Sequence, residues 1–170
     1  MAAGERKIRA FAGPLWWRVV VPYLAFVSMA NLAWEVAQLP LYTIGQDGTL
    51  GERAIAVFHC TGGDILIATL TLLAAVALVG RREWPRSSAA FWRVAVLTVG
   101  LGVAYTIFSE WFNIGIRASW AYSDLMPVVP PFGTGVSPLM QWIVIPVAGF
   151  FLMWRTRAQR ERAAAVAGKE

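Results

Sequence analysis

The sequence predicts an all-α integral membrane protein, a single-domain four-helix bundle with both termini in the cytoplasm. The chain of 170 residues is 58% hydrophobic and has a mean hydropathy of +0.55, which is more apolar than a soluble domain. Its apolar residues form four runs, at 15–39, 54–80, 89–115 and 137–155. Each run is near the ~20 residues that a helix needs to cross a bilayer. A third observation, the distribution of cations, predicts the orientation.

The first run also has an alternative interpretation as a signal peptide. It follows a basic N-terminal arm, and Ser28-Met29-Ala30 resembles the small-residue site at which such peptides are cleaved. The apolar stretch continues past that site to Ala37, however, which favours a retained first helix. Cleavage would leave three spans.

Lys and Arg are divided unevenly among the connecting segments. Only Arg53 and Arg117 lie in the first and third loops, and the other thirteen of the fifteen flank the opposite helix ends. Because cytoplasmic loops carry the excess of Lys and Arg, both termini are predicted to be cytoplasmic, with 156–170 as a cytoplasmic tail. The net charge of +5 then reflects topology and predicts no nucleic-acid partner. Thirteen Arg against two Lys, with abundant Ala, Gly and Val, indicate a high-GC bacterial genome and therefore the plasma (inner) membrane.

Four ionisable side chains interrupt or border the apolar runs, and they are the predicted catalytic residues: Glu35, His59, Asp64 and Glu110. An ionisable group at membrane depth is costly, so it is expected to be paired, turned inward and functional. With helices of alternating direction, all four fall in the outer third of the bilayer, whereas the inner halves are almost purely apolar. The sequence therefore predicts a shared polar pocket beneath the outer surface.

Amide and aromatic side chains at the same level are the predicted substrate contacts. Asn31, Glu35 and Gln38 are spaced i, i+4 and i+7, so they share one helix face. The rings would stabilise a carbocation through their faces or anchor the helices at the interface, and the amides would bind ligand or join helices. The predicted contacts are Asn31, Trp34, Tyr105, Trp111, Asn113, Trp120, Tyr122, Gln141 and Trp142.

Carboxyl groups in such a pocket favour proton-transfer chemistry. A buried carboxyl group can act as a general acid near neutral pH, and a better-solvated carboxylate can act as the base. If the protein is an enzyme, this predicts an isomerase, cyclase or hydratase acting on an isoprenoid, sterol-like or other lipid, without a cofactor. The alternative is a non-catalytic carrier, sensor or small transport subunit whose acids bind a proton or cation. Expected partners are membrane lipids and a hydrophobic small molecule, and transport would require a homo-oligomer because four helices make a small pore.

Four side chains of the predicted pocket region are potential zinc ligands: His59, Cys60, Asp64 and Glu110. His59 and Asp64 are five residues apart, about 140° around a helix, so they do not share a face unless Gly62-Gly63 breaks the turn. No metal is predicted. The single cysteine permits no internal disulfide.

The polar positions resemble the EXPERA group of four-helix membrane proteins, which includes the emopamil-binding sterol isomerase and the sigma-2 receptor. Glu35 and Asp64 are similar to the acids of that group's first and second helices, and Gln141-Trp142 with Pro146 resembles the amide, tryptophan and proline of its last helix. Asn31 stands where the sterol isomerase has histidine. The resemblance implies a pocket for a sterol-like or lipid ligand.

A second resemblance is to small membrane carotenoid cyclases and hydratases. It rests on Glu110, then Gly115, then Trp120-Ala-Tyr122. The loop that follows is rich in proline and glycine through residue 135. We expect it either to cap the pocket or to rest among lipid headgroups.

Overall fold

Four long helices dominate the chain in the computed structural model, which describes residues 14–80, 84 and 87–167. They are α1 (Pro14–Gln38), α3 (Leu50–Val79), α4 (Ser88–Glu110) and α5 (Val136–Ala167). A 3₁₀ turn (Leu39–Leu41) and a short helix α2 (Thr43–Asp47) connect α1 to α3. Four helical segments, one along each long helix and the turn that continues it, are long and apolar enough to cross a membrane: Val19–Leu41, Leu50–Val79, Ser88–Ile116 and Val136–Gln159. The four predicted apolar runs are thus each found as helix.

The helix boundaries differ from the predicted runs for local reasons. Helix α3 begins four residues earlier than expected because Thr49 and Glu52 form a capping box, in which the Glu52 carboxylate accepts from the Thr49 backbone N–H at 2.8 Å. Helix α5 continues to Ala167, through a segment rich in Ala and Arg, which are strong helix formers. The first part of the expected tail is therefore helical.

The helices pack as a closed ring in which α1 contacts α3, α3 contacts α4, α4 contacts α5, and α5 contacts α1. One half of this ring holds an apolar core. Tyr23 and Phe91 pack against Phe150 with ring centroids 4.8 and 5.6 Å apart. Gly149 permits the close approach, since a Cβ there would lie 3.0 Å from the Tyr23 ring. The buried polar side chains lie mainly toward the opposite half.

That opposite half, which we call the polar end, comprises the C-terminal parts of α1 and α4 and the N-terminal parts of α3 and α5. A π-helical turn (Trp111–Ile116) extends α4 there. Two short antiparallel strands follow, β1 (Val128–Val129) and β2 (Thr134–Gly135), as a small addition to the all-α architecture. Turns with π geometry are frequent at functional sites.

The α4–α5 loop folds back across the polar end and pairs with the α1–α2 connection. Tyr42 and Tyr122 form an antiparallel bridge, the Thr43 N–H donates to the Ala121 carbonyl at 3.0 Å, and the Ser123 N–H donates to the Leu41 carbonyl at 3.0 Å. We call residues 42–48 and 117–135 the roof. The loop thus lies over the end of the bundle.

Candidate functional site

Two carboxyl groups from different helices meet in the polar end, Glu35 of α1 and Asp64 of α3. Both are buried, at 8% exposure each. The Gln141 side chain of α5 lies between them, and its Nε2 donates to Glu35 Oε1 at 2.9 Å and to Asp64 Oδ2 at 3.0 Å. The two carboxyl groups are also within hydrogen-bonding reach of each other. We call Glu35 and Asp64 the carboxyl pair.

Amides and a hydroxyl surround this pair. Gln141 Nε2 also donates to Asn31 Oδ1 at 2.9 Å, and Gln38 Nε2 donates to Glu35 Oε1 at 2.7 Å. The Ser137 hydroxyl donates to Gln38 Oε1 at 2.8 Å. The network joins α1, α3 and α5 through side chains alone, which places all of its members at one depth in the bundle.

Glu110 lies apart from the pair, at the end of α4 and under the roof. The Tyr122 hydroxyl donates to Glu110 Oε2 and accepts from the Gly135 N–H at 2.7 Å. The Tyr42 hydroxyl and the Trp120 indole approach the same carboxyl group, although the buried Trp120 Nε1 does not reach hydrogen-bond geometry. Burial and then the charge of Glu110 raise the pKa of Tyr122 above its ordinary 10.0, so this hydroxyl keeps its proton.

A cavity of about 900 Å³ connects the two acidic groups. Glu35, Asp64 and Glu110 all line it, and so do Gln141 and Trp142 at its inner wall. Its remaining walls come from α2, from the polar half of α3 and from the last turns of α4. The three predicted acids therefore line one cavity, to which α1 and α3 contribute the carboxyl pair and α4 contributes Glu110.

Exposed residues line the cavity on the side between α3 and α4, which we call the lateral opening, and also at the end of the bundle, at Asp47, Glu52, Arg117 and Ser119. Ile55 of α3 and Tyr105 of α4 line it and are also exposed on the bundle surface, at 71% and 46%. His59 lines the same opening and is exposed. Because this stretch lies within two segments apolar enough to cross a membrane, the opening would face lipid if they do so.

The other predicted residues divide between the cavity wall and its surroundings. Trp142, Asn113, Trp120 and Tyr105 line the cavity, as does His59. Asn31 and Tyr122 lie behind the wall, where they contact its acids or amides, and the Trp34 indole donates to the Ser137 hydroxyl at 3.1 Å. Trp111 lies outside the cavity in the π-helical turn, where it is exposed and its ring is tilted by 47° against that of Phe108.

Sequence reasoning left several cavity residues out of the predicted site. Gln38 lines the wall and contacts Glu35, and its i+7 spacing from Asn31 was a usable signal. Tyr42 and Thr43 reach the cavity only through the pairing of the roof, for which the sequence carries no signal.

The arrangement of the side chains also limits which cations the carboxyl groups can contact. Among the side chains described, at 19–80, 84 and 87–159, no three His, Cys, Asp or Glu residues are placed to hold a metal ion. The hydrogen bonds described for the three carboxyl groups come from amides and from a tyrosine, none from Arg or Lys. Arg117 lines the cavity at its mouth and is exposed.

Comparison with known proteins gives no relative. A scan against protein-family models, a search of curated proteins and a search of solved structures each found no match to this chain. The function must therefore be inferred from the chemistry of the cavity.

Proposed function

We propose that this chain is an integral membrane protein that binds a hydrophobic, lipid-like molecule of isoprenoid or sterol-like character and moves a proton on it. The observation that carries the proposal is the convergence of Glu35, Asp64 and Glu110 on one cavity of about 900 Å³. That volume falls in the range of about 300–1,000 Å³ that small-molecule sites occupy. Three carboxyl groups without a described basic partner exceed what helix packing requires.

The lateral opening supports a ligand that is dissolved in the bilayer. Ile55 and Tyr105 offer apolar surface at the rim, and the roof crosses the end of the bundle. A molecule that enters between α3 and α4 would bring its hydrocarbon part along the rim and a reactive group toward the acids. This path requires no passage through water.

The two acidic groups suit different roles in proton transfer. Two buried carboxyl groups whose described donors are neutral amides require a proton or a cation between them, so the pair is the proposed proton donor. Glu110 accepts a hydrogen bond from Tyr122 and needs no proton of its own to make it, so Glu110 is the proposed acceptor. In a double-bond shift, one carbon of the alkene would gain a proton from the pair. A neighbouring carbon would then lose one to Glu110, leaving the formula of the substrate unchanged.

The orientation belongs to the same proposal. The excess of Arg and Lys on one side of the predicted spans supports cytoplasmic termini, with the polar end facing the outside of a bacterial plasma membrane. Reporter fusions at the C-terminus and within the roof test this. A C-terminal reporter active only outside the cytoplasm would overturn it.

Ligand binding is tested by filling the cavity. Gly63 lines the cavity and has no atom within 4 Å of the position of an added Cβ, so Gly63→Leu would occupy ligand space without displacing the backbone. Gly62 has equally open surroundings but is exposed and does not line the cavity, so Gly62→Leu is the matched control. Native mass spectrometry after gentle extraction should find a co-purified hydrophobic molecule in the wild type and in Gly62→Leu, and none in Gly63→Leu. Equal occupancy in all three proteins would refute the pocket.

Catalysis is tested separately from binding. Asp64→Asn and Glu110→Gln keep the size of each side chain and remove its acid function. If protons are moved, the wild type should carry a mixture of substrate and isomer, whereas both variants should carry one species only. The same mixture in all three proteins would refute proton transfer by these acids, and the protein would then only bind the molecule.

A second candidate is a non-catalytic carrier or sensor whose acids take up a proton or a monovalent cation. The contact between Glu35 and Asp64 without a described basic partner favours it. In that case purified protein should bind a cation or release protons with no hydrophobic molecule present, and Asp64→Asn should abolish the effect.

A further inference from the structure

Gln141 is the most highly connected side chain of the polar end. It is 2% exposed, and its Nε2 lies within 3.0 Å of oxygens from Asn31, Glu35 and Asp64. Its Oε1 accepts from Gln38 Nε2 at 3.2 Å. Both ends of the amide are thus occupied by protein, although the side chain lines the cavity wall.

The charge of the pair limits what this arrangement can be. Gln141 Nε2 lies beside one oxygen of each carboxyl group, and the two groups are within hydrogen-bonding reach of each other. The hydrogen bonds described for the pair come from the neutral amides of Gln141 and Gln38, and none comes from Arg or Lys. Two negative groups this close in a buried place repel each other, and a proton held between them removes that repulsion.

Helix packing explains why the amide has this position. Gln141 directly precedes Trp142, which is 4% exposed and packs against Gly102 of α4 so closely that a Cβ there would lie 2.4 Å from Trp142 Cε3. The backbone of α5 is therefore fixed next to the amide. Glu35 and Asp64 belong to two other helices, so a side chain from α5 sets their separation.

We infer that Gln141 is a positioning residue, which holds Glu35 of α1 and Asp64 of α3 together so that they share one proton. This inference rests on the proposed function, in which that pair donates the proton, and it names the group that maintains the donor. Gln141 need not touch the substrate to do so. The side chain acts through the two acids.

The test measures the coupling between the two acids, which does not require a ligand. The other titratable groups near the pair are Glu110, Cys60 and Tyr42, with His59 and Arg117 at the cavity mouth. They stay constant in the comparison. Solid-state NMR of purified protein with labelled Glu and Asp locates the carboxyl protons. In the wild type, one strongly deshielded proton should correlate with the carboxyl carbons of both Glu35 and Asp64, because it is held between them.

The shared proton should be lost once the amide is gone. In Gln141→Met, the correlation of one proton with both carboxyl carbons should fall to less than a third of its wild-type intensity, since the pair is free to separate. Ser137→Ala, which removes a hydrogen bond from Gln38 and none from the pair, is the control and should preserve the full intensity. Equal intensity with and without Gln141 would overturn the inference. A wild type without such a shared proton would overturn it as well.

Solid-state NMR keeps the inference testable if Gln141→Met does not fold. In wild-type protein with labelled Gln, Glu and Asp, the Gln141 side-chain nitrogen should show dipolar couplings to the carboxyl carbons of both Glu35 and Asp64. Absence of either coupling would overturn the inference. Neither measurement depends on a bound lipid. The proposed function can therefore fail in the mass-spectrometric test while the positioning role of Gln141 holds, and the positioning role can fail while a bound lipid is found.

Discussion

Tyr122 provides the most direct test of how the roof is attached to the acids. Its hydroxyl donates to Glu110 and accepts from the Gly135 N–H at 2.7 Å, so Tyr122→Phe removes two hydrogen bonds with one atom. Glu110 is only 8% exposed, and water cannot fully replace the lost donor. A hydrogen bond to a charged group contributes about 1.5–3 kcal/mol and a neutral one about 0.5–1.5 kcal/mol. Since Tyr122 is only partly buried and the two losses share one site, we expect a total loss of about 2–3 kcal/mol.

The measurement is equilibrium unfolding in mixed micelles, titrated with SDS and followed by circular dichroism. Tyr105→Phe is the matched control, because Tyr105 is 46% exposed at the cavity rim and no hydrogen bond of its hydroxyl is described. We expect the control to stay within about 0.5 kcal/mol of the wild type. A loss below about 1 kcal/mol for Tyr122→Phe, or equal losses for both variants, would refute this account of the roof.

Three further expectations follow from local geometry. Gly102→Ala should destabilise the protein by about 1–3 kcal/mol in the same unfolding assay, because the new Cβ would lie 2.4 Å from Trp142. Gly100→Ala, with open space around it, should instead be neutral or stabilising by up to about 1 kcal/mol. The stabilisation from the Tyr122 hydroxyl should be complete below pH 10, its ordinary pKa, and should decline as the pH rises above that value, because the folded-state pKa is raised. Stability measured against alkaline pH should therefore fall less steeply in Tyr122→Phe. Thr49→Ala should cost about 1 kcal/mol through loss of the capping box, and no change in the unfolding midpoint would contradict the role of that cap.

Helical periodicity accounts for what could be predicted of the site. Asn31, Glu35 and Gln38 share a face because of their i, i+4 and i+7 spacing, and all three are buried in one network. The same geometry separates His59 from Asp64 on α3, which is helical through Gly62 and Gly63. Asp64 is buried while His59 is exposed at the cavity opening. The angular offset of about 140° was visible in the sequence, and it predicts this difference once the helix is known to be unbroken.

Contacts between distant segments account for what could not be predicted. The roof depends on hydrogen bonds between residues near 42 and residues near 122, and no periodicity relates them. The role of Gln141 could not be predicted for the same reason. The sequence shows only a polar amide on α5, which is typical of residues that join helices, and does not show that α1 and α3 place their acids next to it.

The separation between the carboxyl pair and Glu110 is the strongest argument against a purely structural network. In a structural network, buried polar groups gain most when every donor and acceptor is joined, because an incompletely satisfied set is costly. Here the carboxyl pair accepts hydrogen bonds from Gln141 and Gln38, and Glu110 accepts one from Tyr122. The two acidic sites are not joined to each other, and both line a cavity of about 900 Å³. Packing alone gives no reason to keep two acidic sites on the wall of one open space, whereas the proposed ligand, which must meet both of them, gives one.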